Sequence, residues 1–316
     1  MIYDSYGRPV LNLRISVTQE CNMHCPYCHR EGETNPSTIM SVEEIVHIVK
    51  TALSLGIARV KLTGGEPLLR TDILDIVRGI AGLRGLRDLS MTTNGTFLEP
   101  MAKDLKMQGL NRVNISLPTL DPETYRNLRG GNLRDAIEGV RAAVEAELYP
   151  VKLNVLILKN VNEREVERMI QFAERTMTIL QLIELEPLNL SDAYYERYHL
   201  DLNEIEQKLK EQALEVRTRE YMQNRRIYFL PRVKVEVIHP IENTEFCAHC
   251  TRIRVTSDGK LKPCLMRNDN LVDILTSLRN GVNDEELTKI FLEAVERREP
   301  YYKVLTEECG RAFQIR

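Results

Sequence analysis

The sequence predicts an α/β fold in which a parallel sheet curves around a polar interior, and two patterns support this. Short strand patterns alternate with helix patterns in the first part of the chain, and a βαβα series implies parallel strands joined by right-handed crossovers. The strands alternate polar and apolar residues, whereas buried parallel strands usually read as continuous apolar runs. Half-exposed antiparallel strands would alternate too, but the intervening helices favour a barrel whose polar face points inward.

The strand and helix patterns can be placed along the chain. Strands are predicted over residues 11–17, 59–63, 88–93, 112–117, 151–158 and 179–186. The clearest helix spans residues 41–55, where Ser41 and Glu44 form a capping box and Gly56 supplies the stop. A second helix follows the apolar spacing from Leu133 to Leu148. The polar strand face carries Asn12, Arg14, Ser16, Arg59, Lys61, Thr63, Ser90, Thr92, Asn94, Arg112, Asn114, Ser116, Lys152 and Asn154. Its cations suit a polar anionic ligand.

From about residue 228 the pattern changes to short strands, a hairpin and a last helix over residues 284–298, which Asn283 caps. Asp258–Gly259 between two strand patterns is a strong hairpin signal. Ideal two-residue pairing would place Cys264 opposite Ile253. We therefore divide the chain into a barrel, residues 1–227, and an extension over it, residues 228–316.

The composition narrows the class of ligand and the compartment. The net charge of −3 over 316 residues gives no general attraction to nucleic acid or to an anionic membrane. An anionic ligand must therefore be held by locally placed cations. The start of the chain lacks the pattern of a signal peptide, and no stretch approaches the roughly 18 apolar residues of a membrane span. We expect a cytoplasmic, reducing compartment, where closely spaced cysteines are more often metal ligands than disulfides.

Six of the seven cysteines form two triplets, and each triplet has the composition of a metal site. Three thiolates can hold a metal cluster and leave one coordination position open, as a catalytic site requires. The spacing also permits zinc, with His24 or His29 completing the first triplet and His249 or His239 the second. The triplets are Cys21, Cys25 and Cys28, directly after the first predicted strand, and Cys247, Cys250 and Cys264.

The first triplet reads Cys-x3-Cys-x-Tyr-Cys, with Tyr27 before the third cysteine, and it resembles the signature of the radical S-adenosylmethionine superfamily. That resemblance implies a [4Fe–4S] cluster on the three cysteines, S-adenosylmethionine on the fourth iron, and a 5′-deoxyadenosyl radical. It also implies cofactor contacts at Tyr27, at Gly65 in the Gly-Gly-Glu-Pro motif and at Ser116 after the fourth strand. Simple packing of Tyr27 and a tight turn at Gly65 are the structural alternatives.

Longer motifs resemble one family within that superfamily, the GTP 3′,8-cyclases of molybdenum cofactor biosynthesis, in its archaeal branch. The motifs are LRISVTQECNMHCPYC, LTGGEPLLR, TTNG, RVNISL, VKLNV and FCAHCTRIRVTSDGKLKPCL. The sequences SLPTLD and IELEP resemble the archaeal branch. The resemblance implies a partial (βα)₆ TIM-like barrel whose open side is covered by a C-terminal α+β extension. It implies a lyase that takes the ribose H3′ of GTP and joins C3′ to C8, the first step of the pathway.

The same resemblance implies roles for particular side chains and partners. The first three cysteines, with Arg252 and Arg254, would be catalytic, and the second triplet would hold another [4Fe–4S] cluster that anchors the purine. A one-electron donor, the next enzyme of the pathway and a second copy of the chain are the expected partners. Contacts to GTP are implied for Arg14, Lys61, Thr92, Lys152, Arg252 and Arg254.

The chain departs from the family pattern at several positions. Lys61 stands where many relatives carry Arg, which keeps the charge but loses the bidentate fork. Gln181 and Glu186 stand where bacterial relatives carry Arg and Met. Residues 310–316 lack the terminal Gly-Gly pair of many relatives, and Cys309 has no assigned role.

Two other classes of protein remain as alternatives. One is a radical enzyme with an auxiliary cluster that acts on a peptide or a haem precursor. The other is a zinc protein without enzymatic activity. Arg252 and Arg254, two residues apart on one strand face, and the cations of the polar strand faces favour a phosphate-bearing substrate over the first alternative. The second alternative leaves the Gly-Gly-Glu-Pro motif and the strand patterns unexplained.

Overall fold

A twelve-stranded sheet organises the residues that the computed structural model describes, 1–33 and 38–303. Its spatial order is β12-β11-β10-β1-β2-β3-β4-β5-β6-β9-β8-β7. The strands are β1 Asn12–Ser16, β2 Arg59–Thr63, β3 Asp88–Thr93, β4 Arg112–Ser116, β5 Lys152–Leu156, β6 Ile179–Ile183, β7 Glu215–Arg219, β8 Arg225–Phe229, β9 Lys234–Ile238, β10 Arg252–Val255, β11 Lys260–Lys262 and β12 Val272–Asp273. Residues 304–316, with Cys309 and the atypical tail, lie outside the described part.

Helices connect and flank these strands. They are α1 Val42–Ser54, α2 Ile73–Ala81, α3 Leu98–Met107, α4 Pro122–Arg129, α5 Leu133–Glu145, α6 Val166–Arg175, α7 Asp192–Tyr198, α8 Asn203–Gln212, α9 Thr244–Ala248, α10 Leu275–Arg279 and α11 Asp284–Glu296. The predicted capping box of α1 is present, since Ser41 Oγ accepts from Glu44 N at 3.2 Å and Glu44 accepts from Ser41 N at 2.7 Å.

The middle of the sheet is parallel and confirms the predicted α/β fold class. All six predicted strands form within a few residues of their expected bounds, and β1 to β6 lie side by side. The later part of the chain adds one parallel strand at each end, β10 beside β1 and β9 beside β6. Antiparallel strands then continue both edges. The strand order does not return on itself in the described residues, so the barrel is partial.

The apolar face of the sheet is buried under the helices, as the alternation predicts. Leu13 and Ile15 of β1, Leu62 of β2 and Met91 of β3 are fully buried. Burying one such side chain contributes roughly 1.5–3 kcal/mol. The hydrophobic layer therefore lies outside the curved sheet, and the opposite face is left to polar residues.

The extension is joined to both edges of the barrel. The predicted boundary after residue 227 falls within β8, Arg225–Phe229, while β9 and β10 follow it in the chain. At the outer surface Asp284 of α11 contacts His47 at 2.7 Å and Lys50 at 2.8 Å of α1. The two-part division stays a prediction.

The β10–β11 hairpin differs from the predicted register by one residue. Arg254 pairs with Lys262 and Val255 with Leu261, so Cys264 does not lie opposite Ile253. The loop has three residues, because Thr256 N donates to Lys260 O at 2.9 Å and Gly259 adopts φ +75°. A turn residue in this left-handed region adds a bulge to the hairpin and shifts the pairing. The ideal two-residue turn assumed from Asp258–Gly259 was wrong.

No helix in residues 1–33 and 38–303 is both long and apolar enough to cross a membrane.

Candidate active site

A cavity of about 1230 Å³ lies against the polar face of the sheet. The strands position its lining, since β1 to β5 and β10 each turn polar side chains inward. Of the predicted inward-facing residues, all but Ser16 line it. The cavity brings together every candidate site residue: Arg14, Cys21, Cys25, Tyr27, Cys28, Lys61, Gly65, Thr92, Ser116, Lys152, Cys247, Cys250, Arg252, Arg254 and Cys264.

The loop that carries the first cysteines is held against β2 by two glycines. Gly65 N donates to Thr18 O at 2.7 Å, and Glu66 N donates to Glu20 O at 2.7 Å. A Cβ at Gly65 would lie 2.1 Å from Glu20 O, and one at Gly64 would lie 2.3 Å from Thr18 O. Both positions therefore require glycine for the close approach of two backbones. Gly65 also faces the cavity, so packing and a ligand contact are compatible roles.

Glu66 fastens this region to the next strand. It is fully buried, and its carboxylate accepts from Thr93 Oγ1 at 2.7 Å and from Asn94 N at 2.6 Å. Asn94 in turn donates to Asn22 at 2.7 Å, beside Cys21. The loops after β1, β2 and β3 are thus one hydrogen-bonded unit at the carboxyl ends of parallel strands, where active sites of such barrels form.

The second triplet is braced by two buried arginines from the ends of the chain. Arg8 Nη1 donates to Cys247 O at 2.9 Å, and Arg298 Nη2 donates to Cys250 O at 2.6 Å. Both arginines pair with Asp4, at 2.8 and 3.1 Å. Burial raises the pKa of the Cys250 thiol, but nearby guanidiniums, Arg298 foremost, outweigh it and leave this pKa below its usual value. A lowered pKa favours the thiolate that metals bind.

The six cysteines fit the donor set of iron–sulfur clusters. All six are free thiols. In the described part of the chain no three His, Cys, Asp or Glu side chains converge as ligands of a single metal ion. Three thiolates are the ligands that a [4Fe–4S] cluster needs when its fourth iron is left open. The donor chemistry of each triplet therefore fits a cluster.

The histidines considered as zinc ligands are placed differently. His24 and His29 line the cavity, but His29 Nδ1 already accepts from Glu31 N at 3.0 Å. His239 lies between Glu184 and Glu206, at 3.5 and 3.3 Å, and does not line the cavity. His249 Nδ1 lies 2.9 Å from Glu245 O. The structure does not bring His239 or His249 into the cavity with the second triplet.

Positive charge dominates the cavity wall although the whole chain is weakly acidic. Thirteen Arg and Lys line it against seven Asp and Glu. Such an excess in a concave site concentrates anions. The cations are Arg8, Arg14, Arg30, Arg59, Lys61, Arg112, Arg129, Lys152, Arg219, Arg225, Lys234, Arg252 and Arg254.

Hydrogen bonds connect the polar side chains across the floor of the cavity. Lys61 Nζ donates to Asn114 Oδ1 at 2.8 Å, and Asn114 Nδ2 donates to Gln181 Oε1 at 2.9 Å. Gln181 Nε2 then donates to Glu236, which also pairs with Lys152. The glutamine that stands in place of arginine therefore links two halves of this network.

Lys61, Arg225 and Arg252 line the cavity and form no ion pair with a carboxylate of the described residues. Burial and then nearby cations, Arg112 first, hold the pKa of Lys61 well below its usual value. Burial, with Arg225 as the strongest charged neighbour, likewise lowers the pKa of Arg252. Arg225 donates to Gln223, its Nε has no partner, and burial foremost lowers its pKa to about 10. A bound anion would compensate this charge.

Several side chains in and around the candidate site were not predicted from the sequence. Arg129 is buried beside the first triplet and donates to Ser116 O. Arg219 and Glu236 pair at 3.0 Å from strands that the sequence pattern did not place in the barrel. The period-two spacing of Arg217 and Arg219 could have indicated a strand, but not one facing the cavity. The other unpredicted residues are Arg8, Glu31, Glu66, Arg225 and Arg298.

Comparisons with known proteins support the class of enzyme that the fold and cavity indicate. The family model of the Radical SAM superfamily matches residues 15–173, half of the chain. The chain belongs to this superfamily, whose members carry a [4Fe–4S] cluster and use S-adenosylmethionine. A second family model, Molybdenum Cofactor Synthesis C, matches residues 178–304.

Curated relatives then define the family within that superfamily. The chain is 49% identical over 311 residues to a probable GTP 3′,8-cyclase of Thermococcus kodakarensis, covering 96% of this chain and 100% of the relative. It is 47% identical over 304 residues to the probable GTP 3′,8-cyclase of Methanothermobacter marburgensis, covering 96% and 99%. The chain belongs to this archaeal family, as its motifs predict.

Solved structures support the fold. SuiB of Streptococcus suis, bound to its precursor peptide SuiA, superposes with a TM-score of 0.64 at 17% identity, over 94% of this chain and 66% of SuiB. The protein anSMEcpe with bound AdoMet gives a TM-score of 0.59 at 18% identity, over 87% and 82%. At such identities the likeness concerns the fold alone.

Proposed function

We propose that the protein converts GTP to (8S)-3′,8-cyclo-7,8-dihydroguanosine 5′-triphosphate, the first step of molybdenum cofactor biosynthesis. One observation carries the proposal: both cysteine triplets and a cationic wall line a single cavity. A nucleotide triphosphate placed there would meet cations at its phosphates and reach both triplets. The names of the archaeal relatives support the same substrate.

The residues around the first cysteine triplet fall into two groups: those that would bind the cluster and the cofactor, and those that hold the binding residues in place. Cys21, Cys25 and Cys28 would hold the first cluster, and Tyr27, Gly65 and Ser116 would contact S-adenosylmethionine. When bound, these groups would supply the 5′-deoxyadenosyl radical that removes H3′ from the ribose. Arg129 fixes the end of β4 by its bond to Ser116 O. The buried Glu66 network holds the loops in place.

The substrate contacts follow from the strands. Arg14, Lys61, Thr92, Lys152, Arg252 and Arg254 would bind GTP, since all face the cavity from β1, β2, β3, β5 and β10. Guanidiniums bind phosphate in a bidentate manner. Gln181 stands where bacterial relatives carry Arg. We further propose that Arg219 and Arg225 supply the positive charge that this Arg would provide.

We propose that Cys247, Cys250 and Cys264 hold a second [4Fe–4S] cluster whose open iron anchors the purine. The support is local, because two buried arginines hold the carbonyls of Cys247 and Cys250 in place. Replacing Cys250 by Ser should halve the iron and sulfide content of protein reconstituted anaerobically. Zinc in place of half the iron in the unaltered protein would refute this second cluster.

The reaction sets the requirements for partners. The product is an isomer of GTP, and the hydrogen taken from C3′ leaves in 5′-deoxyadenosine. One electron cleaves S-adenosylmethionine, and a second electron with a proton completes the cyclised product. The protein must therefore meet a one-electron donor, and the next enzyme of the pathway would receive the product. A cytoplasmic location and a homodimer remain predictions.

Anaerobic turnover tests the proposal. The reconstituted protein is incubated with GTP, S-adenosylmethionine and dithionite, and the products are separated by chromatography and identified by mass. We expect 5′-deoxyadenosine that depends on GTP, together with an isomer of GTP. Formation of 5′-deoxyadenosine without a GTP isomer would refute the proposal and would fit an enzyme acting on a peptide or a haem precursor.

A further inference from the structure

A single buried carboxylate links the two arginines that face the substrate. Glu31 follows the first triplet by three residues and is only 8% exposed. Arg254 Nη1 donates to its Oε2 at 2.6 Å, and Arg14 Nη1 approaches its Oε1 at 3.4 Å. Thr63 Oγ1 donates to the same Oε1 at 2.9 Å. The carboxylate therefore stays ionised between two guanidiniums that would otherwise repel each other.

The residues around Glu31 are fixed to the β10–β11 hairpin. Gly32 O accepts from Lys262 Nζ at 3.0 Å, and Glu33 accepts from Ser257 N at 2.9 Å and from its Oγ at 2.7 Å. A Cβ at Gly32 would lie 2.7 Å from Leu265 O. Three successive residues of the loop after Cys28 thus contact the hairpin that lies between Cys250 and Cys264.

The backbone at this point is strained, which indicates that its conformation is imposed by these contacts. Arg30 and Glu31 have φ values of +47° and +52°, in the left-handed region that favours glycine. Such strain persists only where the surroundings determine it, and it often lies at functional sites. The contacts to β10 and β11 hold the backbone of Arg30 and Glu31 in this conformation.

We propose that Glu31 is a positioning residue, which bridges Arg14 on β1 to Arg254 on β10 and fixes both, with the nucleotide they hold, relative to the first cysteine loop. The two arginines are direct partners in the register of the parallel strands. Each uses one nitrogen for Glu31 and keeps other N–H groups for a phosphate. The proposal rests on the proposed function, because it assigns the ligand of these arginines as GTP.

Substitution of Glu31 tests the proposal in the reconstituted holoenzyme. Glu31→Gln keeps the shape of the side chain, but its amide nitrogen cannot accept a hydrogen bond from a guanidinium. The bridge between Arg14 and Arg254 is therefore lost. The substitution also removes a negative charge near the phosphates. We expect GTP affinity within about threefold of wild type or tighter, and a fall of about 10- to 100-fold in GTP isomer formed per 5′-deoxyadenosine, as for a misplaced reacting group. Glu31→Asp should recover part of this ratio.

Glu33→Gln is the matched control, since Glu33 touches neither arginine and an amide oxygen still accepts both bonds from Ser257. Its product ratio should equal that of wild type. An unchanged ratio in Glu31→Gln, or weaker GTP binding at an unchanged ratio, would overturn the positioning role. Melting temperature and iron content show whether Glu31→Gln folds. If it does not, the ratio of GTP isomer to 5′-deoxyadenosine in Glu31→Asp tests the positioning role instead. Wild type that forms no GTP isomer would instead refute the proposed function.

Discussion

Arg252 and Arg254 lie two residues apart on β10 and face the same cavity, yet only Arg254 has a carboxylate partner among the described residues. Arg254 pairs with Glu31 at 2.6 Å, whereas the strongest charged neighbour of Arg252 is another cation, Arg225. The two arginines predicted together from one motif therefore have different roles in the protein without nucleotide. Arg254 is part of a buried ion pair, and Arg252 is left to be compensated by a ligand.

Replacing each arginine by Met should separate these roles. Arg252→Met should weaken GTP binding by about 30-fold or more, because losing a buried charged contact costs roughly 2–5 kcal/mol. Arg254→Met should weaken binding and also lower the melting temperature, because breaking a buried pair costs about 3–5 kcal/mol. Equilibrium dialysis and thermal denaturation measure the two effects. A larger loss of melting temperature in Arg252→Met would contradict this division.

Lys61 should make GTP binding depend on pH. Burial and then the cations Arg112, Arg14, Lys152 and Arg252 hold its pKa well below the usual value, so Lys61 loses its proton more readily in the protein without nucleotide than in water. A bound anion raises that pKa, and binding then takes up a proton. Lys152, whose pKa is lowered to about 8 by burial, adds to this uptake. Affinity should therefore increase as pH falls through about 8, the lowered pKa of Lys152, where the phosphates are already ionised.

Calorimetry in two buffers of different ionisation enthalpy measures the proton uptake of Lys61. Lys61→Arg is the control, because a guanidinium stays charged and cannot take up a proton on binding. The variant should show less uptake than wild type. Equal uptake by both proteins would assign the effect to other groups.

The polar strand faces and the cysteine triplets could be predicted because period-two alternation and short spacings are local. The ion pairs inside the cavity could not, because they join distant parts of the chain. Glu31 and Arg254 are separated by 223 residues, and Lys152 and Glu236 by 84. No spacing rule links a loop carboxylate to a strand so far along the sequence. The β10–β11 register was wrong for a different reason, since one left-handed residue, Gly259, decides between two loop lengths.

Gly65 should be required for the first cysteine loop. In Gly65→Ala the new Cβ would meet Glu20 O at 2.1 Å, so the loop must move and the stability should fall by about 1–3 kcal/mol. We expect a lower melting temperature and less iron bound after reconstitution. Gly82→Ala is the control, because its Cβ would meet its nearest neighbour, Arg78 O, at an ordinary 3.5 Å. Normal iron content in Gly65→Ala would contradict the inferred packing.

His239 should stabilise the fold at neutral pH and stop doing so at alkaline pH. Burial lowers its pKa, but contacts to Glu184 and Glu206 outweigh burial and raise the pKa to about 9. A base whose pKa is higher in the folded state contributes its full stabilisation below the ordinary value of about 6.5. That contribution is lost as pH rises through about 9.

His239→Gln removes this charge and tests whether the stabilisation is lost as pH rises. Its melting temperature should be lower than that of wild type at about pH 6, and the difference should shrink towards about pH 10. His47→Gln is the control, because His47 forms an exposed pair with Asp284, and exposed pairs contribute about 0–1 kcal/mol. A difference that stays constant with pH would show that His239 stabilises by packing, since only the charged form attracts both carboxylates.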